Sequence, residues 1–232
     1  MVCPCHKFEN GIHSFDNSEC VACGKCVKAC NSEALYLFGK VIDTDELVPI
    51  LLEDKVFYDN SNGGITLSGG ECLMQASFCR DLLKKMKAHG IHTAVDTSGF
   101  VGREAIEKVL PYTDLFLYDI KAFSKEVHEK CTGHTNEIIL ENLKYIDEMG
   151  KKVEIRIPCV PEYNFGELNA IAEFLKTLKN PVKVRLLPYH NYAGTKYASL
   201  CMENTLPAII PGESEMKKAR EVFENWGIDV LN

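Results

Sequence analysis

Four cysteines, Cys20, Cys23, Cys26 and Cys30, fall within eleven residues in the spacing C-x2-C-x2-C-x3-C. Short tight loops of this kind let three thiolates cap three irons of one cubane, and Gly24 lets the backbone approach closely. The chemistry such a run supports is electron transfer through a 4Fe–4S cluster. Zinc fits less well, because its sites usually pair C-x2-C units that lie far apart. In two-cluster ferredoxins the fourth cysteine of the run serves the other cluster. Cys20, Cys23 and Cys26 then need a fourth ligand from upstream. Cys3, followed by Pro4 like the last cysteine of a preceding segment, is preferred for it. Cys5 has no proline after it and is the weaker substitute. The alternative is a single cluster with Cys30 as fourth ligand, although Asn31 stands where the ferredoxin pattern has proline. Cys72, Cys79, Cys131, Cys159 and Cys201 show no ligand spacing and are expected to be packed side chains.

A second set of polar residues is spread along the chain: Glu71, Asp96, Asp119 with Lys121, and His190. Each stands at the end of an apolar, strand-like run. The runs are 65–68, 93–97, 115–120, 153–160 and 182–187, rich in Val, Ile and Leu. Helical patterns separate or follow them at 45–59, 74–89, 103–110, 136–149, 168–178 and 213–226. Gly90 and Gly150 close two of these helices and Pro111 stops a third. A short apolar stretch, 228–231, ends the chain. Strands and helices alternating at short spacing predict a parallel sheet of βαβ units, open or closed as a barrel. The C-terminal ends of such strands are where these folds bind ligands.

The 232 residues carry 26 Lys and Arg against 33 Asp and Glu, a net charge of −7. That balance gives no reason to expect nucleic acid or an anionic membrane as partner. No apolar run reaches the length of a membrane helix. Eleven cysteines with no export signal read as metal binding rather than disulfides, so a cytoplasmic protein is expected.

Five motifs occur in one order: Ser68-Gly69-Gly70-Glu71, Val95-Asp96-Thr97-Ser98-Gly99, Tyr118-Asp119-Ile120-Lys121, Ile155-Arg156-Ile157-Pro158 and Leu186-Leu187-Pro188-Tyr189-His190. In that order and spacing, behind a ferredoxin-type segment, the chain resembles the glycyl-radical-enzyme activating enzymes of the radical S-adenosylmethionine superfamily. The resemblance implies a partial (β/α)6 TIM-like radical SAM barrel lacking its first strand, over 41–232, preceded by a ferredoxin-like 4Fe–4S segment over 1–40. It implies that Gly69, Gly70 and Glu71 form a ledge for the methionine amino group of S-adenosylmethionine. Asp96 and Asp119 are then carboxylates near that cofactor, Lys121 and Arg156 its cationic contacts, and His190 the histidine near ribose and adenine. The expected activity is formation of a glycyl radical on a partner such as pyruvate formate-lyase, a diol dehydratase, a choline lyase or a decarboxylase. A flavodoxin or ferredoxin is the expected reductant. The family binds its cleaving cluster through a C-x3-C-x2-C motif after the first strand, and no such spacing occurs in these residues. The chain is therefore expected to be an N-terminally incomplete member, doubtful as a catalyst by itself. The alternative is a non-catalytic electron-transfer or partner-binding relic.

Overall fold

A computed structural model of the chain describes residues 2–192, 194, 197 and 202–231. Two compact units divide it, one of Met1–Ile42 with Tyr192–Leu206, the other of Asp43–Asn191 with Pro207–Asn232.

The larger unit is built on a six-stranded sheet: β3 (Gly64–Leu67), β4 (His92–Thr97), β5 (Leu115–Asp119), β6 (Lys152–Cys159), β7 (Lys183–Pro188) and β8 (Asp229–Leu231). The strands lie side by side in chain order and every neighbouring pair is parallel. Side chains alternate across a strand, so register decides which residues share a face. One face carries Ile65, Val95, Phe116, Tyr118, Ile155, Ile157 and Val184, all buried. It is packed by helices that present Leu82, Leu83, Met86, Ile106, Leu143, Ile146, Ile171 and Phe223 to the same core. The other face is polar. In register Asp96 pairs with Leu117, Asp119 with Arg156, and Arg156 with Arg185. An open parallel sheet buried on both faces reads as continuous apolar runs. Here alternate positions are charged, which suits the inner wall of a partial barrel.

The expected helix over 45–59 is two helices, Thr44–Leu52 and Lys55–Ser61. Apolar spacing runs through the break, so periodicity alone did not mark it. Asp43 caps the first helix, its carboxylate accepting from the Glu46 N–H at 2.8 Å. The helix Lys125–Thr132 was not expected. Its sequence is almost wholly polar and only His128 of it is buried, so it has no apolar stripe to read. The terminal stretch 228–231 supplies β8, a sixth strand beyond the five expected.

The smaller unit opens with a hairpin, β1 (His6–Glu9) and β2 (Ile12–Phe15), also not expected. Its turn is Asn10-Gly11, with φ of 51° and 77°. Positive φ at both central residues is the type I′ turn that Asn-Gly favours, so the signal was present in the dipeptide. A short helix, Lys25–Lys28, follows within the cysteine run.

Gly99, just after β4, has φ 71°, and a Cβ there would collide with Tyr118 Oη. That hydroxyl is buried and donates to the Ile139 carbonyl at 2.7 Å, so it has nowhere to go. Gly99→Ala combines overpacking with a left-handed backbone. It is expected to destabilise the larger unit by about 3 kcal/mol, read as a lowered midpoint in denaturant unfolding.

Candidate functional site

The loop after β3 turns at Gly69, whose φ of 141° only glycine adopts readily. A Cβ on Gly69 or on Gly70 would meet nothing within 4 Å, so the space beside both residues is open. Glu71 follows, and its side chain points back into the fold. One carboxylate oxygen accepts from the Leu73 N–H at 3.1 Å and the Thr97 hydroxyl at 2.9 Å. The other accepts from the Thr97 hydroxyl at 2.9 Å, the Ser98 N–H at 2.9 Å and the Ser98 hydroxyl at 2.8 Å. Glu71 thus ties the loop after β3 to the loop after β4. That second loop is held in turn by Asn142, whose amide donates to the carbonyls of Gly99 and Val101 at 2.9 and 2.8 Å.

The polar face of the sheet supplies the rest. Asp96 is bridged on both sides. Ser68 Oγ donates to its Oδ2 at 2.8 Å, and Arg156 Nη1 lies 2.7 Å from the same oxygen. Asp119 lies on the next strand, with Lys121 Nζ 3.5 Å from its Oδ2. Asn164, buried, donates to the carbonyls of Lys121 and Pro158 at 2.7 and 2.6 Å, which pins the loop carrying Lys121 to the end of β6. His190 is exposed two residues beyond β7, next to Tyr189, whose N–H donates to the Cys159 carbonyl at 3.2 Å. The structure places seven of the eight residues at or just beyond a strand end, whereas Arg156 lies within β6, level with Asp119 at the end of β5. It joins Asp96 to Arg156 and Asp119 to Lys121 directly, and reaches Gly69 and Gly70 through Glu71. Ser68, Thr97, Ser98, Asn142 and Asn164 were not singled out from the sequence. Isolated small polar residues carry no periodic signal, and only their hydrogen bonds to distant segments show their role.

In the smaller unit Cys3, Cys5, Cys20, Cys23 and Cys26 line one cavity of about 600 Å³. Cys30 does not line it, and its thiol lies 3.4 Å from the Ser32 hydroxyl. Burial, with the neighbouring Cys3 thiol, pushes the Cys5 thiol up to about 11. Gly24 has φ 70°, and a Cβ there would touch Leu37 Cδ1 at 3.0 Å. No three of the described histidine, cysteine, aspartate and glutamate side chains are grouped tightly enough to hold a single metal ion.

The 4Fe–4S binding domain family matches residues 13–36, and the radical SAM superfamily matches residues 28–175. The chain is 36% identical over 259 aligned positions to the trans-4-hydroxy-L-proline dehydratase activating enzyme of Clostridioides difficile, covering 95% of this chain and 85% of that protein. It is 34% identical to the pyruvate formate-lyase 1-activating enzyme of Escherichia coli strain K12, covering 83% of this chain and 80% of that protein. This chain belongs to the glycyl-radical-enzyme activating enzymes of the radical SAM superfamily.

A crystal structure of a domain of the pyruvate-formate lyase-activating enzyme of Bacteroides vulgatus superimposes on this activating-enzyme chain with a TM-score of 0.61 at 30% identity. It covers 73% of this chain and 98% of that one. Streptococcus suis SuiB, at 13% identity and a TM-score of 0.62, shares the fold, covering 84% of this chain and 44% of its own. In this activating-enzyme chain Cys72 directly follows Gly-Gly-Glu. The structure gives that thiol a partner: its Sγ donates to the Asp96 carbonyl at 3.4 Å, while Cys79 Sγ donates to the Cys72 carbonyl at 3.1 Å. Cys79 and Cys159 are buried, as expected of packed cysteines, whereas Cys131 is exposed on the polar helix Lys125–Thr132. Cys201 lies outside the described residues.

Burial pushes the Asp119 carboxyl above its ordinary 3.8, and Asp96 adds to the rise, while Lys121 and Arg156 oppose it. The folded chain thus holds that proton more tightly than the unfolded chain. Stability from this group is full below 3.8, declines as pH rises through the raised folded value, and is level above it. Asp119→Asn is expected to remove that decline and to leave stability at pH 7 within about 1 kcal/mol of the parent, because the Lys121 pair is partly exposed. Denaturant unfolding of both proteins across pH 4 to 7 (approximately) checks it.

Proposed function

We propose that this chain serves the activation of a glycyl-radical enzyme, binding S-adenosylmethionine at the strand ends of its larger unit and a 4Fe–4S cluster in its cysteine-lined head. The observation that carries the reading is the open ledge at Gly69 and Gly70 on the same strand-end edge as Asp96, Arg156, Asp119 and Lys121. S-adenosylmethionine is a zwitterion with a sulfonium. It needs acceptors at its amine and donors at its carboxylate and hydroxyls. Residues 69–71 offer main-chain acceptors with no Cβ in the way at the two glycines. Glu71 holds that ledge rigid rather than lending its own carboxylate, which is filled by Thr97 and Ser98. Asp96 and Asp119 are the side-chain acceptors. Arg156 spends one nitrogen on Asp96 and keeps further N–H donors, and Lys121 sits far enough from Asp119 to turn to a ligand. His190 is assigned to the ribose and adenine.

Cys20, Cys23 and Cys26 hold the head cluster, with Cys3 as fourth ligand. Cys3 shares their cavity and Cys30 does not. Bound S-adenosylmethionine and reduced iron–sulfur clusters supply the one-electron chemistry that removes a hydrogen atom from a partner's glycine. A flavodoxin or ferredoxin suits a ferredoxin-type head as electron donor. No helix among the described residues is long and apolar enough to cross a membrane, and the free thiols suit the reducing cytoplasm. The partner is a glycyl-radical enzyme of the kinds that the relatives activate.

Isothermal titration with S-adenosylmethionine under anaerobic conditions tests the site. The chain is expected to bind it, and Gly70→Val to weaken binding about tenfold or more, equivalent to about 1.4 kcal/mol, with an unchanged thermal midpoint. No binding by the parent chain overturns the reading. The 232 residues contain no C-x3-C-x2-C run. This polypeptide alone is therefore expected to bind S-adenosylmethionine without releasing 5′-deoxyadenosine when reduced, which chromatography of the reaction checks.

A further inference from the structure

The cavity in the head has a feature that its cysteine spacing does not explain. His6, the first residue of β1, is 8% exposed. Its Nδ1 lies 2.8 Å from Nε2 of His13 on the facing strand, and the two rings stack with centroids 5.1 Å apart. The Phe15 ring packs against it as well, with centroids 4.8 Å apart. One ring nitrogen is therefore engaged. The other, Nε2, is buried and has no hydrogen-bond partner among the described residues. Shielded from water, it gains none from solvent. An unsatisfied buried polar atom costs about 1–3 kcal/mol, and native folds keep few of them. Both histidines line the same cavity as Cys3, Cys5, Cys20, Cys23 and Cys26.

We propose that His6 Nε2–H donates a hydrogen bond to a sulfur of the 4Fe–4S unit bound in this cavity and thereby raises its reduction potential. The inference rests on the reading of the head as a cluster site. Five cysteines line the cavity and a cubane takes four, so no nitrogen ligand is required. In this proposal His13 Nε2–H is the donor to His6 Nδ1, which puts the proton of the His6 ring on Nε2 and makes that atom a donor. The sulfurs of a reduced cluster carry more negative charge than those of the oxidised one. A fixed N–H donor therefore favours the reduced state. His13 acts through His6, as a positioning residue that sets the tautomer and the ring plane.

The test uses the full chain, reconstituted anaerobically with iron and sulfide. Iron content, the midpoint potential from a titration followed by electron paramagnetic resonance, and nitrogen hyperfine coupling of the reduced cluster are measured together. The parent is expected to hold about four irons and to show one weakly coupled nitrogen. His6→Phe is expected to keep the iron, lose that coupling and move the midpoint to more negative potential. His6→Gln retains an N–H at nearly the same reach and is expected to recover part of the shift. His13→Ala is expected to give a smaller shift in the same direction as His6→Phe. An unchanged midpoint in a fully loaded His6→Phe protein overturns the proposal. So does strong coupling from a nitrogen bound to iron. Should His6→Phe fail to load, absence of weak nitrogen coupling in the parent, or a parent-like midpoint in His13→Ala, overturns it equally. A parent that takes up no iron refutes the cluster reading itself, and the iron content tells that failure from the failure of His6.

Discussion

The Glu71 carboxylate is the interaction on which the strand-end site depends. Two oxygens take donors from Leu73, Thr97 and Ser98, and charge-assisted bonds of this kind are worth about 1.5–3 kcal/mol each. The loop after β3 has almost no packing of its own. Gly69 and Gly70 are exposed and nothing lies beside them. Without an anchor such a loop would sample many conformations, and binding would have to freeze them out. Glu71 fixes the loop to its neighbour, and Asn142, Gly99 and Tyr118 fix that neighbour to the core. The Gly69-Gly70 turn is thus held in one conformation from behind, with open space beside both glycines.

The sheet divides labour between its two faces. One is filled with Val, Ile, Phe and Tyr against helices and supplies the stability. The other carries Asp96, Asp119, Glu154, Arg156 and Arg185, each neutralised by a neighbour: Asp96 by Arg156, Asp119 by Lys121, Glu154 by Arg185 at 2.6 Å. Partly buried charges are tolerable when paired; Asp96–Arg156 and Glu154–Arg185 pair across strands, while Lys121 follows Asp119 two residues on. A ligand with both charges can exchange partners with such a set without leaving an ion bare. Burial raises the proton affinity of Asp119 there.

The head is a different kind of construction. It has little apolar core, with Cys5 its one buried hydrophobic side chain among the described residues. A unit that small gains from a bound cluster what it lacks in packing, as metal-dependent domains do. The hairpin β1–β2 contributes two histidines to its cavity, and the Asn10-Gly11 turn places them on facing strands.

Much of this protein was legible in its residues alone. C-x2-C-x2-C-x3-C is a local motif, so its chemistry survives without knowledge of the fold. Strands ending in Glu71, Asp96, Asp119 and His190 were visible because an apolar run stopped by a charge is a one-dimensional signal. The element order followed from the same alternation, apart from the polar helix Lys125–Thr132 and the hairpin. Tertiary structure alone decided what touches what. Binding Glu71 to Thr97 and Ser98, pairing Asp96 with Arg156, and leaving His6 Nε2 without a partner among the described residues all join residues far apart in the chain or turn on a side chain's direction. Hydrogen bonds and ion pairs act over about 3 Å in space, whatever the separation in sequence. A linear pattern can name the groups that will need partners, but only the packed chain assigns them.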